Sequence, residues 1–278
     1  MKKFLSVLLA LTMLLSLSVT AFAAEEKLNF LSLGDSIAAG AGLVAPNRQT
    51  YGAIVSNTNG YNFKNDAISG HTTQAMFKRI NEPKVAEDIK NADIICISIG
   101  GNNFLMNNLP GLINDALEKN DYTKFDEIAD TYYNELGKIF TYIRELNGEA
   151  TLILQTLYNP MFADDSLRMV YQEGADRLNT TMTKFLADNE GLYTLVDVGA
   201  AFTNYGDEII AADYIHPNSQ GHIAIAREVL KTLKELGLGE ETEPVYKEIQ
   251  VQTMFDNLIK RLREMIASLQ NLFKSIFG

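Results

Sequence analysis

The stretch Leu28-Asn29-Phe30-Leu31-Ser32-Leu33-Gly34-Asp35-Ser36 runs from an apolar segment directly into a polar turn. Residues 28–33 form a short, largely apolar run, which predicts a buried strand. That strand would place Ser36 at the carboxyl end of a sheet, where open α/β folds bind their ligands. The stretch therefore predicts both the first strand and the position of a candidate site.

The rest of the chain alternates between strand and helix signals, which is typical of a parallel sheet covered by helices. The predicted strands are 28–33, 61–65, 93–99, 151–155 and 193–196. The predicted helices are 51–57, 72–81, 84–91, 111–118, 125–146, 166–188 and 219–236. The third and fourth strands are continuous apolar runs, as expected when both sheet faces are covered. We expect an α/β fold, a three-layer α/β/α sandwich with a central five-stranded parallel sheet.

A second polar segment, Asp213-Tyr214-Ile215-His216-Pro217, follows the last predicted strand. A hydroxyl nucleophile needs a base to take its proton, and the base needs an anion to orient it. Asp213 and His216 are three residues apart and could supply both from one short loop. The sequence therefore predicts Ser36, Asp213 and His216 as catalytic residues.

The other two histidines and Asp35 are weaker candidates. His71 could serve as an alternative base, but it more simply lines the cleft or precedes the next helix. His222 falls inside the helix predicted at 219–236, so it ranks last among the three histidines. Asp35 is expected to form hydrogen bonds at the corner that carries the serine.

Two further segments follow predicted strands and would reach the same sheet edge as Ser36. Gly70 lacks a Cβ, so its backbone can approach a substrate closely. Asn102 carries a side-chain amide with two N–H donors. Acyl transfer builds negative charge on the carbonyl oxygen, which fixed donors stabilise. The backbone amide of Ser36, Gly70 and Asn102 are the predicted oxyanion hole.

These residues stand in four blocks that resemble the SGNH hydrolases, also called GDSL-like esterases and lipases. The blocks are Gly34-Asp35-Ser36, Asn65-Asp66-Ala67-Ile68-Ser69-Gly70, Ile99-Gly100-Gly101-Asn102-Asn103, and Asp213 to His216. The resemblance covers about residues 28–236, and four blocks in the family's order make it specific. It implies the flavodoxin-like SGNH hydrolase fold and an acyl-enzyme on Ser36. It also implies an oxyanion hole at Gly70 and Asn102, with Asp213 and His216 as acid and base.

One position departs from the family pattern, because Asn103 stands where the family usually carries Asp. The departure concerns loop geometry more than chemistry, since Asn102 is intact. Phe104 follows this block directly, and Tyr158 opens the loop after the fourth predicted strand. Together with His71 and Asn103, they are the residues expected to line the substrate pocket.

Composition excludes several other classes of function. The formal net charge of −11 argues against nucleic acid as a partner, because basic contacts to phosphate drive that binding. The chain has no C-x-x-C, H-E-x-x-H or Gly-rich phosphate loop, so no metal and no cofactor are predicted. Cys96 is the only cysteine, which excludes an internal disulfide, and its apolar surroundings predict a buried side chain.

The amino-terminal residues 1–23 have the pattern of a secretory signal peptide. Lys2 and Lys3 precede an apolar stretch at 4–19, and Ala21-Phe22-Ala23 is a cleavage site. A product cleaved after Ala23 would be secreted or associated with the cell envelope. The predicted organisation is a hydrolase domain at 24–236, a linker at 237–247 and a C-terminal amphipathic helix at 248–278.

Apolar residues within 251–277 are spaced alternately by four and three positions, which predicts a helix with an apolar arc of about 140°. Three alternatives follow from this pattern. The helix could dock on its own domain and bury the arc, self-associate as a coiled coil, or lie on a membrane surface. A membrane span is not predicted, because charges recur every few residues.

The sequence thus predicts an exported serine esterase or lipase that hydrolyses carboxylic esters. Lipid esters, lysophospholipid esters and O-acetyl groups on polysaccharide remain open as substrates, because a fold alone does not choose among them. The alternative is a cell-envelope or membrane-associated interaction protein with a weak or idle hydrolase domain. Asn103 favours this alternative, whereas the five intact site residues argue against it.

Overall fold

A computed structural model describes residues 27–161, 165–211, 213–246 and 250–277. The predicted signal peptide lies outside these residues. One sheet of five parallel strands has the order β2-β1-β3-β4-β5. The strands are β1 (Asn29–Gly34), β2 (Asn62–Asn65), β3 (Ile94–Ser98), β4 (Thr151–Gln155) and β5 (Thr194–Val196). The predicted five-stranded parallel sheet is confirmed, and both ends of every strand lie within one residue of the predicted positions.

Helices cover both faces of this sheet in the described part of the chain. They are α1 (Ser36–Ala39), α2 (Pro46–Gln49), α3 (Tyr51–Asn59), α4 (Thr73–Ile80), α5 (Pro83–Lys90), α6 (Gly101–Leu105), α7 (Leu109–Lys119), α8 (Thr123–Leu146), α9 (Arg168–Asp188), α10 (Val198–Tyr205), α11 (Ser219–Glu235) and α12 (Gln250–Phe277), with a 3₁₀ turn at Gly206–Ile209. The predictions for α3, α4, α5, α7, α8, α9 and α11 are confirmed within two residues. The short helices α1, α2 and α6 were not predicted, because four or five residues give too little periodicity. The eight-residue helix α10 was also not predicted.

The core has two halves because successive strand residues point to opposite faces of the sheet. Leu31 and Ile95, which are paired in register, pack against α4, α5, α7, α8 and α9. Phe30 and Ile94, the preceding register pair, pack against α1, α3, α10 and α11 on the other face. Burial on both faces explains why β3 reads as an uninterrupted apolar run.

The strand order fixes where a site can form. The chain leaves β1 for β2 on one side and then crosses to β3 on the other, which makes a switch point between β1 and β3. Ligands of open α/β sheets bind beyond the carboxyl ends of the strands at such a point. Ser36 follows β1, Gly70 follows β2 and Asn102 follows β3, so all three lie at this edge.

The described residues of the predicted linker at 237–247 pack against the domain. The Tyr61 hydroxyl donates to the carbonyl of Leu238, and the Asn57 side chain donates to the carbonyl of Val245 over 3.2 Å. The side-chain amide of Gln49 donates to the Tyr246 hydroxyl over 3.1 Å. These contacts hold Leu238, Val245 and Tyr246 against the domain.

Helix α12 contacts the domain through polar side chains. Gln252 accepts a hydrogen bond from the backbone amide of Val44 over 2.8 Å. Asp256 accepts one from the Ser219 hydroxyl over 2.9 Å. Of the three alternatives for this helix, docking that buries the apolar arc does not describe these contacts, because Met254 is 72% exposed. Among the described residues, no helix is long and apolar enough to cross a membrane.

Candidate active site

The corner that carries Ser36 depends on a glycine. Gly34 has a φ of +124°, and a Cβ there would lie 1.9 Å from the carbonyl oxygen of Ser98. The close approach lets the Asp35 amide donate to that same oxygen over 2.9 Å. The Asp35 carboxylate then caps α1 by accepting from the amide of Ile37 over 3.0 Å. Ser36 is therefore held as the first residue of a short helix that begins where β1 ends.

A continuous hydrogen-bonded chain joins the serine to a histidine and an aspartate. Ser36 Oγ lies 2.8 Å from His216 Nε2, and His216 Nδ1 lies 2.6 Å from Asp213 Oδ2. The other carboxylate oxygen, Asp213 Oδ1, accepts from the backbone amides of Ile215 and His216. Such an arrangement can move a proton from the hydroxyl to the imidazole and hold the resulting positive charge beside an anion.

The Asp213 carboxyl is held in its charged form. Burial raises its pKa, but hydrogen bonds from the amide and ring of His216 and from the amide of Ile215 outweigh that effect. The net result is a pKa below the ordinary value for aspartate. Asp213 is therefore an anion at neutral pH, as an orienting partner of the imidazole must be.

The loop that carries Asp213 and His216 is closed on itself. The Ala211 amide donates to the carbonyl of His216 over 2.7 Å, and Tyr214 adopts a left-handed φ of +63° at the tip. The Tyr158 hydroxyl donates to the carbonyl of Ile215 over 2.6 Å. Tyr158, predicted as a pocket residue, therefore also supports the histidine loop.

Arg263 supports the same loop from α12. Its guanidinium donates to the carbonyl oxygens of Ile210, over 3.3 Å, and Ala211. It also lies 4.6 Å from the centroid of the Tyr214 ring. This contact could not be predicted, because a single arginine in a distant helix has no spacing relation to the loop.

Asn102 lies at the amino-terminal end of α6 and is largely buried. One N–H of its side-chain amide donates to the carbonyl of His71 over 3.0 Å. A primary amide has two N–H groups, so a second remains for a substrate oxygen. Gly70 has a φ of +85°, which only glycine adopts at little cost. His71 thus contributes its backbone, whereas the sequence drew attention to its ring.

Asn103 joins the two loops that carry Gly70 and Asn102. Its side-chain oxygen accepts from the Thr73 amide over 3.0 Å, and its NH₂ donates to the Thr73 hydroxyl over 2.6 Å. The Thr73 hydroxyl donates in turn to the carboxylate of Glu135. Glu135 on α8 therefore supplies a carboxylate in the network where the family usually has one at position 103.

A small cavity of about 80 Å³ opens beside Ser36. Its walls are mainly apolar and include Phe104, Leu105 and Leu178, with Tyr158 and Asn102 at its edge. Two of the four predicted pocket residues, Phe104 and Tyr158, line this cavity. His71 and Asn103 do not line it: the His71 carbonyl accepts from the Asn102 side chain, and the Asn103 side chain binds Thr73.

A larger cleft of about 930 Å³ lies between α9 and α10. Its lining includes Asn159, Asp176 and Asn179, but none of Ser36, Asp213 and His216. The small cavity is therefore the candidate pocket for a group attached to the reacting carbonyl.

Two buried groups lie outside the proton path. His222 accepts from the backbone amide of Tyr51 over 3.2 Å, and burial lowers the pKa of its ring to about 3. Burial raises the pKa of the Cys96 thiol to about 12, so the thiol stays protonated. Neither group is placed or charged for chemistry at Ser36.

Asp35 predicts a pH dependence of stability. Burial raises the pKa of its carboxyl to about 7, although the Ile37 amide and the Ser98 hydroxyl donate to it. The folded protein then binds this proton more tightly than the unfolded chain, where the value is 3.8. The free energy of unfolding should fall as pH rises from about 4 to about 7, by up to roughly 4 kcal/mol.

The Asp35→Asn protein tests this expectation, because the amide keeps an acceptor oxygen for the cap but does not ionise. Urea unfolding of both proteins across this pH range gives the comparison. The wild type should lose stability toward neutral pH, and Asp35→Asn should lose less. Parallel curves would contradict the assignment of the loss to Asp35.

Known proteins resemble this chain over the segment that contains the site. A profile of the GDSL-like lipase/acylhydrolase family matches residues 32–224. The uncharacterized protein YpmR of Bacillus subtilis is 26% identical over 227 residues, which are 78% of this chain and 86% of YpmR. The spore germination lipase LipC of Bacillus licheniformis is 27% identical over 169 residues, which are 59% of this chain and 74% of LipC.

Solved structures agree with the sequence matches. The lipase Lip_vut3 from a goat rumen metagenome has a TM-score of 0.60 and 27% identity, covering 77% of this chain and 99% of that chain. Phospholipase A1 from Streptomyces albidoflavus has a TM-score of 0.59 and covers 74% of this chain and 99% of that chain, but at 19% identity it speaks for the fold alone. Because the family profile spans more than half of its residues, this chain belongs to the GDSL-like lipase/acylhydrolase family of ester hydrolases.

Proposed function

We propose that the chain is an exported serine esterase or lipase in which Ser36 carries the acyl group. The observation that supports this most directly is the hydrogen-bonded chain from Ser36 through His216 to Asp213, with separations of 2.8 and 2.6 Å. A hydroxyl, an imidazole and a carboxylate in this order are the groups that acyl transfer requires. Export rests on the predicted signal peptide.

In the proposed mechanism, His216 Nε2 takes the proton of the Ser36 hydroxyl while Oγ bonds to the ester carbonyl carbon. The carbonyl oxygen becomes an anion, which the amides of Ser36 and Gly70 and the side chain of Asn102 stabilise. Collapse of the intermediate breaks the bond to the alcohol oxygen, which takes the proton from His216. Water repeats the sequence on the acyl-enzyme, releasing the acid and restoring the serine.

The cavity beside Ser36 supports a preference for the acyl group. A volume of about 80 Å³ with apolar walls suits the first few carbons of an acyl chain and not a charged or bulky group. Each buried methylene stabilises the bound ester by about 0.8 kcal/mol. We expect kcat/KM for soluble p-nitrophenyl esters to rise about tenfold from acetate to butyrate.

A series of p-nitrophenyl esters of increasing chain length measures this preference. Beyond the carbons that the cavity holds, longer soluble chains should give no further gain. A kcat/KM that is the same for acetate and butyrate would contradict an acyl group in this cavity. Failure of every ester to turn over would contradict the proposed function itself.

Asn103 offers a test of the network behind the proposed oxyanion hole. Asn103→Asp would put a second carboxylate beside the Thr73 hydroxyl, which already donates to Glu135. Only one of the two carboxylates could then accept from it, and their charges would repel. We expect kcat/KM to fall about tenfold, because the hydrogen-bond donors of the proposed oxyanion hole would be displaced. Complete loss of one donor would have a larger effect.

The double variant Asn103→Asp/Glu135→Gln removes the repulsion and should recover most of the lost activity. Glu135→Gln alone is the matched control. A double-mutant cycle on p-nitrophenyl butyrate gives the coupling between the two positions. Additive losses at the two positions would refute the idea that Glu135 takes the place of the family's aspartate.

A further inference from the structure

The outward side of α12 forms a continuous apolar surface, although the polar side of the same helix contacts the domain. We define the α12 apolar face as Met254, Leu258, Leu262, Met265, Ile266 and Leu269, which are between 40 and 72% exposed. At about 100° per residue these six positions lie within an arc of about 120°. Gln252, Asp256 and Arg263, which contact the domain, lie on the opposite side.

The contacts fix which side of the helix faces out. Asp256 binds Ser219 at the start of α11, and Lys260 lies 3.1 Å from Glu208. Two turns after Asp256, Arg263 binds the carbonyls of the histidine loop. Polar anchors at three successive turns hold the helix against the domain with its apolar side away from it. Large side chains held in this way are unfavourable in water and mark an interaction surface.

We propose that the α12 apolar face binds the surface of an anionic lipid bilayer. The helix carries four basic residues and two acidic ones, in a chain whose net charge is −11. Lys260 and Arg263 contact the domain, whereas Arg261 is exposed beside the apolar face. A basic helix with an exposed apolar face is the pattern of helices that lie in the lipid interface. Arg261 is exposed at the border of the face, where its charged end can reach a lipid phosphate.

A bilayer fits this surface better than a second copy of the chain does. Coiled-coil pairing uses a narrow seam of two positions per heptad, whereas this arc spans about 120°. A lipid surface needs only the helix itself, inserted to the depth of its apolar side chains.

The position of α12 connects this surface to the candidate site. Arg263 holds the carbonyls of Ile210 and Ala211, in the same loop that carries Asp213 and His216. Lipid bound at α12 therefore lies beside the loop that completes the site. Resting on the proposed function, this arrangement makes esters carried by the bilayer the substrates that gain from binding.

Co-sedimentation with vesicles tests the proposal. The protein is the chain from Ala24 onward, since the apolar stretch at 4–19 would bind lipid itself. The vesicles are phosphatidylcholine alone or an equal mixture with phosphatidylglycerol. The variant Leu262→Gln/Leu269→Gln removes two exposed side chains of the face. Its matched control is Leu117→Gln/Leu236→Gln, the same change at two similarly exposed leucines outside α12.

We expect the wild type and the control to sediment with the mixed vesicles. Binding by Leu262→Gln/Leu269→Gln should be lower by at least about tenfold, while turnover of a soluble ester is unchanged. Hydrolysis of an ester carried in the vesicles should fall in parallel with binding. Ser36→Ala protein should bind vesicles as the wild type does, which separates lipid binding from the proposed function.

Three results would overturn the proposal. The wild type could remain in the supernatant with both vesicle types, or the control could lose binding as much as the α12 variant. Alternatively, the wild type could run as a dimer that Leu262→Gln/Leu269→Gln converts to a monomer, which would identify a second copy as the occupant.

Discussion

Ser36→Ala protein is expected to fold normally and to lose ester turnover by roughly 10⁴- to 10⁶-fold. The change removes the atom that would form the acyl bond, and in the described part of the chain no other hydroxyl contacts His216 Nε2. Stability should change little, because Ser36 is the first residue of α1 and the backbone contacts of Gly34 and Asp35 build the corner. Loss of one partly buried hydrogen bond costs about 1 kcal/mol.

The measurement combines turnover of p-nitrophenyl butyrate with labelling by a fluorophosphonate, which bonds to an activated serine oxygen. The wild type should incorporate one label per chain and Ser36→Ala none. Ser166→Ala, at an exposed serine outside the site, is the matched control and should behave as the wild type does. Labelling that persists in Ser36→Ala would refute Ser36 as the nucleophile.

The sheet could be predicted because its strands are fixed by local pattern. β3 and β4 are buried on both faces, so their apolar runs stand out against the polar turns around them. The residues of the candidate site could also be predicted, since Asp213 and His216 are close in sequence and Ser36 directly follows β1. The parallel sheet brings the segments of the site together, because the carboxyl ends of its strands lie at one edge.

The supports of the site could not be predicted, because they depend on contacts between distant segments. Glu135 reaches Thr73 from the middle of α8, and Arg263 reaches the histidine loop from α12. Neither residue has a motif or spacing that links it to its partner. In both cases the partner is a backbone carbonyl or a hydroxyl, which any sequence offers in many places.

The orientation of α12 on the domain could not be predicted, for a different reason. The spacing at 251–277 indicated an amphipathic helix, and the usual rule buries the apolar side against the core. Here Gln252 and Asp256 find partners on the domain in Val44 and Ser219, so the polar side docks instead. Amphipathicity gives the two sides of a helix but not which of them has a partner.

The second large effect on ester turnover is expected at Asp213, the anion that contacts His216. Asp213→Asn should lower kcat/KM by about 10⁴-fold with little change in fold. The amide oxygen can still accept from the backbone amides of Ile215 and His216, so the loop should keep its shape. The amide nitrogen, however, would face His216 Nδ1 across the present 2.6 Å contact and could only donate to it.

That single reversal puts the imidazole proton on the wrong nitrogen. Nδ1 would accept from the amide, so the neutral ring would carry its proton on Nε2, the atom that must accept from Ser36. Asp213→Ala, which leaves Nδ1 free to take either role, should therefore be less impaired than Asp213→Asn. Nitrogen NMR of the His216 ring reports the tautomer directly, and turnover of p-nitrophenyl butyrate gives the loss. Suppose that in the Asp213→Asn protein the neutral His216 ring kept its proton on Nδ1 and turnover fell less than tenfold. Asp213 could then not be the group that orients His216.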